Sequence, residues 1–143
     1  MSDLVKIRFP FTDSEGKEEV ETLWTRSRDN GYEVDNIPFY VKELALGDLV
    51  AAESDSDGAL WYSGLIEASG HSTIRLWFSN KHDVQAVRNR LRNVGCASEL
   101  SELPRLVAID VPPNVPYSAI KELLDDWEKQ GALEYQEACL GQV

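Results

Sequence analysis

The spacing of apolar residues first departs from a two-residue period near residue 79, and that change limits the folds open to this chain. Before it, apolar residues recur at every second position, as on a strand with one buried face. "LVKIRFPF" (4–11) alternates until Pro10. "EEVETLWTRSR" (18–28) puts Val20, Thr22, Trp24 and Arg26 on one side and Leu23 on the other. Asp29-Asn30-Gly31 predicts a hairpin turn, because Asn-Gly supplies positive φ at low cost. "YEVDNIPFY" (32–40) is the returning strand, and Pro38 bends its end or confines it to an edge. Gly47-Asp48 leads into a strand at Leu49, Asp57-Gly58 turns it, and "ALWYSGLIEA" (59–68) follows. Short strands separated by turns at this spacing predict a small β-barrel or rolled sheet over residues 1–70.

"STIRLWFS" (72–79) still alternates, with Ile74, Leu76 and Phe78 on one face and Thr73, Arg75 and Trp77 on the other. Val84, Val87, Leu91 and Val94 then recur at helical spacing. Asn80 and Asp83 resemble a capping arrangement before that helix, and Gly95 closes it. A strand runs from Arg105 to Val111. The segment 97–103, where Ser and Glu interrupt alternation, is the weakest strand of the series. Pro116 suits the first turn of a second helix. Ile120, Leu123, Leu124 and Trp127 form its apolar stripe, Gly131 ends it, and 132–140 is the last strand. The order strand, helix, strand, strand, helix, strand predicts a ferredoxin-like, split βαβ unit over residues 71–143. The whole is an α+β chain whose two parts pack as one body, since Ser69-Gly70 leaves little room for a hinge.

At 143 residues and 43% hydrophobic, the chain suits one compact domain or two small subdomains sharing a core. No apolar run approaches the roughly 20 residues that cross a bilayer. "MSDLVKIRFPF" lacks the basic start, apolar core and cleavage site of a signal peptide, so the expected location is cytoplasmic. Cys96 and Cys139 read as two buried thiols rather than a disulfide framework. The formal net charge is −11. It opposes binding to nucleic acid and to anionic membranes, and it permits a basic protein partner or simply a solvated acidic surface. The charge is uneven: residues 1–70 hold 15 acids and 6 bases, against 10 and 8 in the remainder.

Candidate chemistry centres on Gly70-His71-Ser72-Thr73. A nucleophile needs a base within reach and a third group orienting that base. Adjacent strand residues point to opposite faces, so His71 does not easily serve Ser72. The stretch reads better as a turn feeding a strand, with Ser and Thr bonding backbone locally. His71 and His82 lack metal-ligand spacing, and "ESDSDG" (53–58) lacks the register of a calcium loop, so no metal is expected. No glycine-rich phosphate loop is present, and no cofactor is expected. Lys81, Arg88, Arg90 and Arg92 stripe the first helix, but without the aromatic motif of sheet-based RNA binders. Of the four tryptophans, Trp127 belongs to the second helix stripe. Trp61 and Trp77 read as core at the junction of the two halves, or as walls of a shared groove. His71, Ser72, Thr73, Trp61 and Trp77 are therefore the binding candidates.

"YEVDNIPFY" (32–40), "LGDLV" (46–50) and "SGHSTIR" (69–75) together resemble an uncharacterised bacterial family known only as a domain of unknown function. The likeness covers nearly the whole chain. It implies a bacterial, cytoplasmic protein and no established activity, cofactor or catalytic residue. Small acidic bacterial families of this kind often include immunity proteins. The leading expectation is thus a non-catalytic protein-binding module, in its narrow form an immunity-type inhibitor of a basic toxin. A second is a small-ligand sensor, since ferredoxin-like units pair through their sheets as homodimers and bind metabolites between them. A third is a hydrolase-like enzyme using His71 with a distant acid.

Overall fold

The computed structural model describes residues 3–142. Alternation in the first half becomes β1 (Leu4–Thr12), β2 (Glu18–Arg28), β3 (Gly31–Val34), β4 (Leu49–Ser54) and β5 (Leu60–Glu67). Each strand pairs antiparallel with the next. β5 then pairs with β1 in parallel at Trp61 and Arg8, so the five-stranded sheet closes on itself. Ile7, Phe9, Leu23, Val34 and Val50 fill its interior. The side of β2 that carries Leu23 is the buried one, and Glu21 and Thr25 go inside with it.

The second half gives β6 (Ser72–Phe78), α1 (Val84–Asn93), β7 (Ala97–Leu100), β8 (Leu106–Val111), α2 (Tyr117–Lys129) and β9 (Leu133–Cys139). The weak segment at 97–103 does form a strand, with Ala97 to Leu100 pairing β8. The four strands lie in the order β7-β8-β6-β9, all antiparallel, as a β-α-β-β-α-β chain with split pairing requires. Ile74, Leu76 and Phe78 meet Val87 and Leu91 of α1 and Ile120 and Leu124 of α2 in one core. Asn80 accepts from the His82 backbone N–H at 2.9 Å and so starts a 3-10 turn (Lys81–Asp83) ahead of α1.

The Asp29-Asn30-Gly31 turn differs from its sequence reading. Asp29 and Asn30 are the two loop residues, Arg28 pairs with Gly31, and none of the three residues takes positive φ. Gly31 is needed for another reason: a Cβ there would stand 2.8 Å from both Val50 O and Ile66 Cδ1.

The larger surprise is the stretch after β3. Of "YEVDNIPFY" only Tyr32 to Val34 is strand, and residues 35–48 run irregularly between the two sheets. Val41 and Leu44 belong to the interior of the closed sheet. From the other side, Thr73 Oγ1 donates to Leu44 O at 3.0 Å, and Arg75 Nη2 donates to Val41 O at 2.8 Å. Glu43 N–H donates to Ala138 O at 2.9 Å. This connection covers the sheet face opposite the helices, which explains why all six residues of β8 are buried.

Buried irregular backbone needs partners for its polar groups. Glu21 supplies three at once. Its carboxylate accepts from the N–H groups of Phe39, Tyr40 and Val41 at 2.8, 3.0 and 3.0 Å. Asp48 does the same for Ala45 and Ser69. Hydrogen bonds to a charged group contribute about 1.5–3 kcal/mol each, and an orphaned buried donor costs a similar amount. A Glu21→Gln substitution leaves the shape but turns an amide N–H₂ toward at least one of these donors. It is expected to cost about 2 kcal/mol, read as a lower urea midpoint with an unchanged m-value.

Candidate functional site

His71 lies just before β6, beyond the positive-φ Gly70 (φ 88°) that turns the chain into the strand. Its Nδ1 sits 2.8 and 3.0 Å from the two carboxylate oxygens of Asp110 on β8. With Asp110 ionised, Nδ1–H donates, and Nε2 is left without a partner among the described residues. Asp110 is buried, whereas the His71 side chain keeps 23% of its surface exposed. Burial pushes the Asp110 carboxyl above its ordinary range, and the His71 hydrogen bond pulls partly against that. An acid that orients one ring nitrogen and frees the other is the arrangement that a histidine base requires.

The other half is not drawn to it. Ser72 is fully buried, and its Oγ accepts from Gly141 N–H at 2.9 Å. Thr73 is fully buried and spends its proton on Leu44 O. Ser69 Oγ donates to Leu46 O at 2.7 Å, with Asp48 Oδ1 at 2.9 Å, and accepts from His71 N–H. Each hydroxyl therefore has a structural partner of its own, and none of those partners is the His71 ring. Burial pushes both Cys96 and Cys139 up to about 11, so neither thiol ionises near neutrality. A hollow of about 490 Å³ opens beside Gly47 and Ser69, walled by Arg28, Glu33 and Glu67, and His71 does not line it. Among the described residues no group of three or more His, Cys, Asp or Glu is placed to hold a metal ion. No helix among them is long and apolar enough to cross a membrane.

Trp61 and Trp77 are neither core nor walls of one groove, which corrects that expectation. Trp61 lies on the closed sheet, where Nε1 donates to Asp55 Oδ2 at 2.8 Å and Arg8 stands over the ring at 5.4 Å. Trp77 is 42% exposed on the second sheet, with Arg105 over its ring at 5.7 Å. It walls a separate hollow of about 220 Å³ with Arg75, Leu106 and Gln136. The two rings belong to different sheets because β5 and β6 pair with different partners.

A surface that the sequence reading missed lies on the outside of β1 and β2. The register pairs Leu4 with Arg26, Lys6 with Trp24, Arg8 with Thr22 and Pro10 with Val20, all on the face away from the interior. Leu4, Val20 and Trp24 are 38%, 47% and 42% exposed. Lys6 Nζ stands 4.8 Å over the Trp24 ring. These eight positions include three bases and no acid, and the next pair on the same face, Thr12 with Glu18, adds one acid, on a chain of net charge −11. The alternation in β2 did mark Val20, Thr22, Trp24 and Arg26 as one side. Only the pairing with β1 brings Lys6 and Arg8 beside them.

A five-stranded closed sheet joined to a four-stranded antiparallel sheet with two helices places the protein in the mixed α+β class. The chain belongs to the family described as "Domain of unknown function (DUF4265)", whose profile matches residues 21–135. It is also similar to a hypothetical protein from Neisseria gonorrhoeae known from a crystal structure, at 27% identity, 96% coverage of each chain and a TM-score of 0.82. No curated protein matches it. The likeness to an uncharacterised bacterial family therefore holds.

The buried Asp110 carboxyl has a pH signature. The folded-state carboxyl holds its proton more tightly than the unfolded one, so the native chain binds more protons in a window opening near 3.8. Stability from this group falls as pH rises through that window. The stability difference between the wild type and Asp110→Asn is expected to shift against the wild type over that interval, measured by denaturant unfolding at several pH values.

Proposed function

We propose that this small barrel packed on a ferredoxin-like unit is a non-catalytic protein-binding module. The observation that carries the reading is the outer face of the β1–β2 hairpin. Single exposed apolar residues are ordinary on a folded surface. Here Leu4, Val20 and Trp24 share one face of one hairpin, with Pro10 beside Val20. Covering such surface contributes about 25 cal/mol per Å² of apolar area, and tryptophan is prominent among interface anchors. The strands beneath are paired continuously from Leu4 to Thr12, which limits the ordering entropy lost on binding. The narrower idea of an immunity-type inhibitor of a basic toxin draws on overall charge alone. Co-purification of the tagged chain from its own cells is expected to recover a stoichiometric partner. Val20→Ser with Trp24→Ser should lower that recovery about tenfold without changing the melting temperature. Recovery of no stoichiometric partner would sink the reading.

One observation favours a second reading, an enzyme with His71 as base: the buried Asp110 that orients its ring and leaves Nε2 unpartnered. On that reading the wild type hydrolyses p-nitrophenyl esters with saturation, and His71→Gln lowers the rate by about 10²-fold or more. Equal rates for both proteins would end it.

A further inference from the structure

The hairpin face has a chemical character opposite to that of the chain as a whole. Of its bases, Arg26 is engaged by Asp3 and Asp35, each at 3.5 Å. Lys6 and Arg8 have no ion-pair partner within 4 Å among the described residues; each lies on an indole ring instead. Arg8 is near enough to Asp55 to help lower its carboxyl, but Trp61 Nε1 and backbone N–H groups hold that carboxylate. A cation on an aromatic face keeps its charge and sheds part of its water, so a second anion approaches it at lower desolvation cost.

The same two cations line a cavity. Near the register position of Arg8 and Trp61, where β1 meets β5, a hollow of about 450 Å³ is lined by β1, β2 and the start of β5. Its walls are Val5, Lys6, Arg8, Thr22 and the segment Gly58-Ala59-Leu60. Lys6 and Arg8 are the charged residues among these walls, and the apolar groups beside them suit a ligand that carries both carboxylates and aliphatic side chains.

We infer that this face and its hollow dock an acidic polypeptide segment of a partner protein, with carboxylates on Lys6 and Arg8 and apolar side chains on Trp24 and Val20. The inference rests on the chain's being a protein-binding module and names the chemistry of what that module takes. Charge complementarity selects the occupant. Two free cations match the two or three carboxylates of a short segment. A nucleic acid, charged at every residue, would bring further phosphates against the net charge of −11. A basic segment would meet Lys6 and Arg8 head-on.

Fluorescence anisotropy with the full chain tests this. The probes are a labelled peptide of about ten alternating glutamate and leucine residues, its lysine–leucine counterpart, and oligo-dT of equal length. The acidic peptide should bind, weaken as salt rises, and lose about tenfold in affinity with Lys6→Glu plus Arg8→Glu. The neutral pair Lys6→Gln plus Arg8→Gln should lie between, and unchanged melting temperatures show that both variants fold. Preference for the basic peptide, preference for oligo-dT, or indifference to both double variants would overturn the inference. A cellular partner that needs Trp24 but ignores charge reversal would overturn it too, while leaving the module itself standing.

Discussion

A stretch of backbone without regular structure lies between the two sheets, and the fold depends on satisfying it. Residues 37–45 contribute Ile37, Val41, Leu44 and Ala45 to the buried interior. A strand or helix would pair its own N–H groups; this segment does not. The Glu21 carboxylate takes three of them, Asp48 takes another, and Arg75 and Thr73 cap two carbonyls from the opposite side. Glu21 belongs to the closed sheet, whereas Arg75 and Thr73 belong to the second. The polar clamp therefore joins the two halves, and electrostatic attraction between Glu21 and the largely desolvated Arg75 reinforces it.

That clamp also bears on His71. The chain leaves the clamp at Asp48, whose carboxylate fixes Ser69, and Ser69 Oγ accepts from the backbone of His71. His71 then reaches Asp110 on β8. The Asp–His pair thus sits at the end of a polar chain that runs along the junction, and each neighbouring hydroxyl already serves that chain. The outer hairpin face is built differently. It lies on the far side of strands whose inner face is packed by Ile7, Phe9 and Leu23, and there Lys6 lies over Trp24 and Arg8 over Trp61 of β5.

Much of the architecture was legible in the residues. The two-residue and helical periods marked both helices and most of the strands, because burial of one face imposes those periods directly; β7 lacked the alternation, and β3 ended at Val34, short of the strand read over 32–40. The helix stripes at Val87, Leu91, Ile120 and Leu124 all lie in the core. The connection at 35–48 was misread in part because "YEVDNIPFY" carries strand-like residues whose backbone partners are side chains far off in sequence. Glu21 and Asp110 were not singled out in the sequence: Glu21 alternates with Glu19, Leu23 and Thr25 on one side of β2, and Asp110 lies within the apolar run of β8. Their role depends on what stands opposite, and an alternating pattern does not report that.

The sequence by itself determined the alternation of faces on most strands, the two helix stripes, and that an acidic α+β protein results. These follow from local sterics and from the hydrophobic period, which act over a few residues. Tertiary structure alone decided the pairings. It set Lys6 on Trp24, Arg8 on Trp61 and His71 on Asp110. Each contact joins separate strands and depends on register, so a slip of one residue would send those side chains to the opposite face.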